Sequence, residues 1–374
     1  MKYRLVKVLR NIYSFSVSEN KIIISDKNSF NIIAYDLLFN EIWRYSLSNI
    51  SKVKILNDLI YAENIFGNEN LILDSQGNLI ENLVDKGISL DYFSSSSVRE
   101  KAICKTDEGL LGIYDLDTEN ILWQSSLITG FGSLISNNAI FCISQETGSI
   151  HSLDINIGTS NWQFSSSDIK INNYDSTSGD FFRIINLLQG VLVVHARIST
   201  DILVGLDAEK GKLLWQLADF EYEGVQYPHL NSDIYRIRSN TEKTRLIGIN
   251  RRFIEINPLD GKVLKYTPIT PQDKQGKFTE YNGEGLIPFD GKAQGKYVYF
   301  SAAVREEDGR AAALPASVGV YNMETAQIEW LHVFKEFWQG GGNAISEHIP
   351  PFISNNRLYV LDIKGTLHIF EKED

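Results

Sequence analysis

Cysteine is nearly absent: 374 residues hold two, Cys104 and Cys142. A disulfide-stapled secreted domain is thereby disfavoured, and the expectation is two buried, reduced thiols on neighbouring repeat units. Long apolar runs are missing too; no stretch approaches the ~18 residues of a membrane span. The opening Met1-Lys2-Tyr3-Arg4-Leu5 carries basic charge, but no apolar centre of roughly 7–15 residues follows, so it does not read as a signal peptide and a cytoplasmic address is expected. Basic residues are in deficit, 36 Lys and Arg against 47 Asp and Glu, for a net charge of −11. Nucleic-acid binding needs a basic face to displace counterions, so that class is disfavoured, as is an anionic membrane surface. A helical period of 3.6 is not found anywhere convincing. What is present, 43% apolar and 11% aromatic residues, suffices for a core and excludes disorder.

One phrase recurs through this material: an apolar strand, an Asp or Asn, a short turn, then a strand carrying Trp. Its best copy is Leu206-Asp207-Ala208-Glu209-Lys210-Gly211-Lys212-Leu213-Leu214-Trp215. The anchors are Asp36, Asp74, Asp115, Asp154, Asp207, Asn257 and Asn322, at intervals of 38, 41, 39, 53, 50 and 65 residues. Two strand-like runs precede each anchor, as Ala139–Cys142 and Ile150–Leu153 precede Asp154, and one follows it, as Ile121–Gln124 follows Asp115. Four strands per unit at such a period predict stacked all-β supersecondary units, that is, the blades of a propeller.

Elementary chemistry accounts for the phrase. An Asx side chain at a strand end accepts hydrogen bonds from backbone N–H groups two or three residues on and closes the turn. Gly158, Gly211 and Gly261 then supply a positive φ. Trp123, Trp162, Trp215 and Trp330 stand eight residues past their anchors and Trp43 seven past its own, so these indoles are expected to dock neighbouring blades rather than bind a cofactor. The units anchored at Asp74 and Asn257 lack the Trp (Lys265 stands in its place in the second) and read as degenerate copies.

The ends set the count. Residues 357–370 form inner strands without an outer one, whereas Tyr3–Leu9 is a surplus strand at the start. Pairing the two completes an eighth blade and closes the ring, removing the exposed sheet edges of an open array. We therefore expect one domain over residues 1–374, an all-β propeller of eight four-stranded antiparallel blades closed by the N-terminal strand, with seven blades as the alternative.

The phrase ending at Trp215, together with Leu153-Asp154, Gly158 and Trp162, Tyr114-Asp115 with Trp123, and Tyr321 with Trp330, resembles the repeat of the pyrroloquinoline-quinone-like (PQQ-like) propellers. The ending Leu358–Phe370 is similar to the usual last repeat of such chains. The resemblance covers almost the whole sequence and is specific for fold rather than activity. One branch, the quinoprotein dehydrogenases, carries a metal-plus-quinone centre, often adjacent cysteines and an export signal, none of which is visible here. The other branch is non-catalytic and includes the bacterial barrel-assembly lipoprotein. This second likeness implies a quinone-free scaffold that binds other proteins.

Length variation falls mostly in one class of connection. Ser165–Asp180, Asp219–Asp233, Thr267–Leu286 and Lys335–Ile349 join successive blades, and Arg305–Ala316 joins a second to a third strand; both kinds open on the same side of a propeller. Insertions on one side of a repeat protein mark a binding face. Aromatics and Arg anchor interfaces, which makes Tyr222, Tyr227, His229, Tyr281, Arg305, Arg310, Phe337, Trp338 and His348 the candidate partner-binding residues. Phe337 and Trp338 have a second reading, as a plug for the central channel.

Catalytic signatures are not found, and no catalytic, cofactor or metal residue is assigned. Gly130-Phe131-Gly132 lacks the third Gly and the helix of a dinucleotide loop. Asp115–Asn120 opens like a calcium loop but has Asn120 where Gly is needed, and so reads as a strand turn. His151, His195, His332 and His368 read as strand packing residues. The leading expectation is a non-enzymatic cytoplasmic scaffold binding a protein partner, electropositive by charge complementarity, in an inhibitor or immunity-type role. The alternative is a small-ligand- or quinone-binding enzyme using the central channel.

Overall fold

A computed structural model describes all residues except 50, 57, 65–68, 91–94, 97–100, 130–132, 137, 170–179, 199, 228–235, 251, 270–285, 305–314, 335–336, 338–342, 347–348 and 374. Eight antiparallel sheets form the ring. Blade 1 is built from Ile12–Val17, Lys21–Asp26, Asn31–Asp36 and Glu41–Ser46, and blades 2 to 7 follow in chain order. Blade 8 takes its inner three strands from Phe352–Ser354, Arg357–Leu361 and Leu367–Lys372, and its outer strand from Tyr3–Leu9. The register runs from Tyr3 opposite Lys372 to Leu9 opposite Leu367, so the two ends of the chain seal the ring as the sequence predicts.

The second and third strands of each blade are the most apolar and the most buried. Lys21–Asp26 and Asn31–Asp36 bury Ile22, Ile23, Ile24, Ile32 and Ile33 between the adjoining blades. Burial on both faces of a strand requires an apolar run rather than alternation, which is why these segments read as unbroken Ile and Val. Cys104 and Cys142 lie on second strands of blades 3 and 4, free and buried, and burial pushes both thiols up to about 12.

The anchors act as their chemistry dictates. Asp36 Oδ1 accepts from the N–H of Leu38 and of Asn40, both at 2.8 Å, and Asp207 Oδ1 from those of Glu209 and Lys210, both at 2.9 Å. Asp115 does the same with Asp117 and Thr118, which confirms its loop as a strand turn.

Four of the Trp residues reach across to the turn of the following blade. Trp43 Nε1 donates to Ser75 O (3.1 Å), Trp123 to Ile155 O (2.9 Å), Trp162 to Ala208 O (3.0 Å) and Trp215 to Pro258 O (2.9 Å). The accepting carbonyl is always that of the residue after the anchor. The indole fills the space beside Gly77, Gly158, Gly211 or Gly261, where a Cβ would stand 2.5–2.6 Å from a ring atom. Glycine is therefore needed twice over, for its positive φ and for the approach of the ring.

Junctions without Trp are joined by a cation instead. Lys265 of blade 6 donates to Met323 O of blade 7, again the residue after the anchor. Arg357 of blade 8 donates to Leu37 O of blade 1, stacks 5.0 Å over Phe39, and is held by Glu371 Oε1 at 2.9 and 2.8 Å. Lys86 of blade 2 bonds Glu119 O and the Tyr114 hydroxyl of blade 3, with Glu81 at 2.5 Å. The turns facing these cations carry Ala326, Phe39 and Glu119 at positive φ in place of glycine. The last junction, blade 7 to blade 8, has no turn to receive an indole because the chain ends lie there; Trp330 packs on Tyr3 at 5.0 Å and Phe370 at 5.5 Å.

One element departs from the expected pattern. Ser95–Ser96, in the connection between the first two strands of blade 3, pairs in parallel with Leu134–Ile135 and gives blade 4 a fifth strand. The Ser-rich segment 94–97 has no apolar alternation that would announce a strand.

Candidate functional site

The connections leaving blades 4, 5, 6 and 7, and the one between the second and third strands of blade 7, open on one side of the ring, as the strand order requires. The first of the sector, between blades 5 and 6, folds into a hairpin of Phe220–Tyr222 and Val225–Tyr227. Glu223 and Gly224 take positive φ values of 51° and 77°, the turn geometry that suits the twist of a two-residue hairpin.

Aromatic packing holds this hairpin down. Phe220 stacks on Tyr227 at 5.1 Å, and Tyr266 on the outer strand of blade 6 meets Phe220 at 5.0 Å, Tyr227 at 4.7 Å and Tyr222 at 6.5 Å, each edge-on. Arg252 caps the cluster, its guanidinium 4.8 Å from the Tyr266 ring and 5.5 Å from Tyr227. Burial, and then the neighbouring Glu223, push the Tyr222 hydroxyl above its usual value, so it is a neutral donor at physiological pH. The opposite side of the hairpin is polar and open: Glu221 accepts from Gln226 Nε2 at 2.9 Å, and Val225 at the tip is 51% exposed. The result is a rigid, acidic-edged tab with one apolar contact at its tip.

The connection between blades 7 and 8 is secured at its base. Phe337 stacks on Phe334 at 4.7 Å and is buried in the cluster shared by blades 7 and 8, with Ile345, Val318 and Phe370. Its ring thus belongs to the core at the foot of the loop, neither an exposed anchor nor a plug in the channel. Proximity to the Gly-rich stretch suggested exposure in the sequence; the neighbouring Phe334 supplies the apolar partner that draws it in. Asn343 Nδ2 donates to Asp362 Oδ2 at 2.8 Å, and His368 Nε2 lies 3.2 Å from the same oxygen. Burial alone would raise the Asp362 carboxyl, but the bonds from His368, the Thr366 N–H and Asn343 outweigh it and hold the group below the usual carboxylate range. Asp362 fixes the loop base to blade 8.

Of the nine candidate residues, Tyr222 and Tyr227 come together in one cluster and Phe337 stands apart in the core. His229, Tyr281, Arg305, Arg310, Trp338 and His348 lie outside the described residues. Tyr266 and Arg252 were missed because both occupy ordinary strand positions of a degenerate blade; the aromatic next to Lys265 was the available signal. His151 and His195 are buried strand residues, and burial pushes both imidazoles below their usual value. Among the described residues, no group of three or more His, Cys, Asp or Glu is placed to hold a metal ion, and no helix is long and apolar enough to cross a membrane.

A family model described as outer membrane protein assembly factor BamB matches residues 107–337, more than half of the chain. No curated protein matches. Among solved structures, the C-terminal WD40 domain of Sif2 is 13% identical, with 100% of this chain and 99% of that chain covered and a TM-score of 0.61. The computationally designed Ika8 protein is 10% identical, with 97% and 96% covered and a TM-score of 0.58. BamB from Moraxella catarrhalis is 15% identical, with 100% and 98% covered and a TM-score of 0.40. At such identities the likeness to Sif2 and Ika8 is one of fold alone.

Proposed function

This chain belongs to the PQQ-like propeller family typified by the outer membrane protein assembly factor BamB, and on that premise we propose that it is a non-enzymatic, cytoplasmic scaffold that binds a protein partner through the long-connection side of blades 5 to 8. The observation that carries the proposal is the hairpin Phe220–Tyr227, locked by Tyr266 and Arg252 with Val225 held out at its tip. A rigid projection loses little entropy on binding, which is what an interface element needs. The family's description as an assembly factor supports a protein-handling role. With a net charge of −11, the protein suits an electropositive partner, and an inhibitor or immunity-type role is the finer reading.

The test is affinity capture with the native partner. Val225→Lys combined with Tyr281→Ala and Trp338→Ala should abolish capture while the circular dichroism spectrum and melting temperature stay close to those of the parent. Capture should also weaken steeply with salt if opposite charges steer the encounter. Undiminished capture by the folded triple variant overturns the choice of face; capture indifferent to salt overturns the electropositive partner.

A further inference from the structure

The innermost strands, which line the channel, are stitched to one another by polar side chains over part of the ring. Ser14 and Ser16 of blade 1 accept from the N–H of Val53 and Ile55 of blade 2, at 2.8 and 3.0 Å. Arg183 of blade 5 donates to Ile237 O at 3.1 Å, and Asn186 to Ser239 at 2.7 Å, on the approach to and first strand of blade 6. Arg236 and Arg238 of blade 6 reach blade 7, at Pro288 O (2.6 Å) and Asp290 (3.0 and 2.5 Å). Blades 5 and 6 thus each send a cation to an acceptor on the next.

Lys292, on the inner strand of blade 7, breaks the series. It points towards blade 8, yet among the described residues its amine has no carboxylate or carbonyl partner; what it meets is the face of Phe352, 4.2 Å from the ring centre. Burial holds the amine below its usual pKa, the mark of a cation whose lost hydration has not been replaced by a counter-charge. A ring face recovers only part of the hydration that an ammonium group loses on burial.

The space beside this amine is a cavity of about 220 Å³ between blades 7, 8 and 1. Its walls are Phe15, Val17, Ile349, Pro350, Pro351 and Phe352, and Ser16 is its other polar side chain. A cavity of ~150 Å³ lined by apolar side chains accepts benzene, so this one has room for a ring or short alkyl chain together with a charged head. Apolar walls with a single unpaired cation select a ligand of matching form.

We propose that the cavity formed by Lys292, Phe352 and Phe15 at the channel wall is a binding site for a small monocarboxylate with an apolar body, the carboxylate pairing with the Lys292 amine. Ile349, Pro350 and Pro351 come from the end of the connection into blade 8, but none of the hairpin residues assigned to the protein partner lines the site, and the proposal is tested without that partner. Lys292 supplies the charge, Phe352 and Phe15 the ring contacts, and the two prolines a wall that needs no ordering on binding. Pairing replaces a weak cation–ring contact with a charge-assisted hydrogen bond, and its removal should weaken binding by more than about tenfold.

Benzoate and its neutral isostere benzamide distinguish charge recognition from simple filling of an apolar hole. Titration of the full chain by calorimetry should show saturable benzoate binding, with a matching rise in melting temperature, and benzamide binding at least about tenfold weaker. Lys292→Met keeps the volume of the stem and removes the charge; it should abolish the preference for benzoate and leave the ring folded. Equal binding of the two probes to the parent protein, unchanged benzoate affinity in the folded Lys292→Met variant, or no saturable binding of benzoate at all would each overturn the proposal. The comparison of the two probes on the parent protein decides the matter even if the variant fails to fold.

Discussion

Trp215 of blade 5 occupies the space that a side chain on Gly261 of blade 6 would need, with its Nε1 bonded to Pro258 O at 2.9 Å. Gly261 has φ +70°, so a substitution there meets both backbone strain and the indole. Ala326 sits at the corresponding place on blade 7, at φ 56°, facing Lys265 instead of a ring. Gly261→Ala should therefore destabilise by about 2–4 kcal/mol, from left-handed strain plus overpacking. Ala326→Gly should be neutral or stabilising by up to about 1 kcal/mol, because it relieves the same strain where no ring intrudes. Denaturant midpoints of the two variants check both signs.

The two kinds of junction should differ in strength. An indole buries roughly 150–250 Å² and contributes about 4–6 kcal/mol of burial as an upper bound, against about 1 kcal/mol for its hydrogen bond. Area therefore dominates at the Trp junctions, and Lys265 reproduces only the smaller part. Trp215→Ala is expected to cost about 3–5 kcal/mol and Lys265→Met about 1 kcal/mol. Calorimetric melting of both variants measures the contrast; equal losses would show that the bond, not the buried surface, holds the blades.

Acid should loosen the ring in two stages. The His151 imidazole is depressed in the fold by burial, so as pH falls below about 6.5 the unfolded chain takes up a proton that the fold refuses, and stability declines. Asp362 is depressed as well; its contribution is fully present above the unfolded carboxylate value near 4 and disappears as pH falls through the lower folded value. His151→Gln should flatten the fall in melting temperature between about pH 7 and about pH 5, and Asp362→Asn should reduce the slope below about pH 4. Melting curves across pH for the two variants separate the stages.

Removing residues 1–10 should open the ring. Strand Leu367–Lys372 would lose its partner, Trp330 would lose Tyr3, and an unpaired apolar edge would face solvent. The truncated protein is expected to form concentration-dependent oligomers in sedimentation, and added peptide of the Tyr3–Leu9 sequence should restore the monomer. A stable monomer after truncation would contradict the closure argument.

The ring was legible from the chain because its signals are local and repeated. The Asx anchor recurs seven times, a Trp stands at a near-fixed distance in five of those units and a glycine four residues on in three, so partial copies reinforce one another. The cationic joints were not legible. Lys86 lies in a 3-10 turn, Lys265 on an outer strand and Arg357 on a second strand, so all three reach a carbonyl in the next blade's anchor turn but share no place in the repeat. Tyr222 and Tyr227 could be picked out as aromatics in a long connection, whereas Tyr266 and Arg252, which hold them, look like any other strand residues. Phe337 shows the limit of reading exposure from neighbours in sequence, since Phe334 and His368 decide its fate through packing. Lys292 was invisible for the opposite reason: a lone lysine on an inner strand is unremarkable until the described residues of the facing blade are seen to meet it with a ring rather than an acceptor.

Pairing Tyr3 with Lys372 has a consequence for biosynthesis. Strand Tyr3–Leu9 can find its partner only once residues 367–372 have been made, so the eighth sheet cannot be finished before then. Until then the nascent molecule is an unclosed arc with Leu5 and Val8 on a waiting ribbon. Chaperone demand should accordingly persist until residues 367–372 have emerged, rather than fall away as each blade is completed.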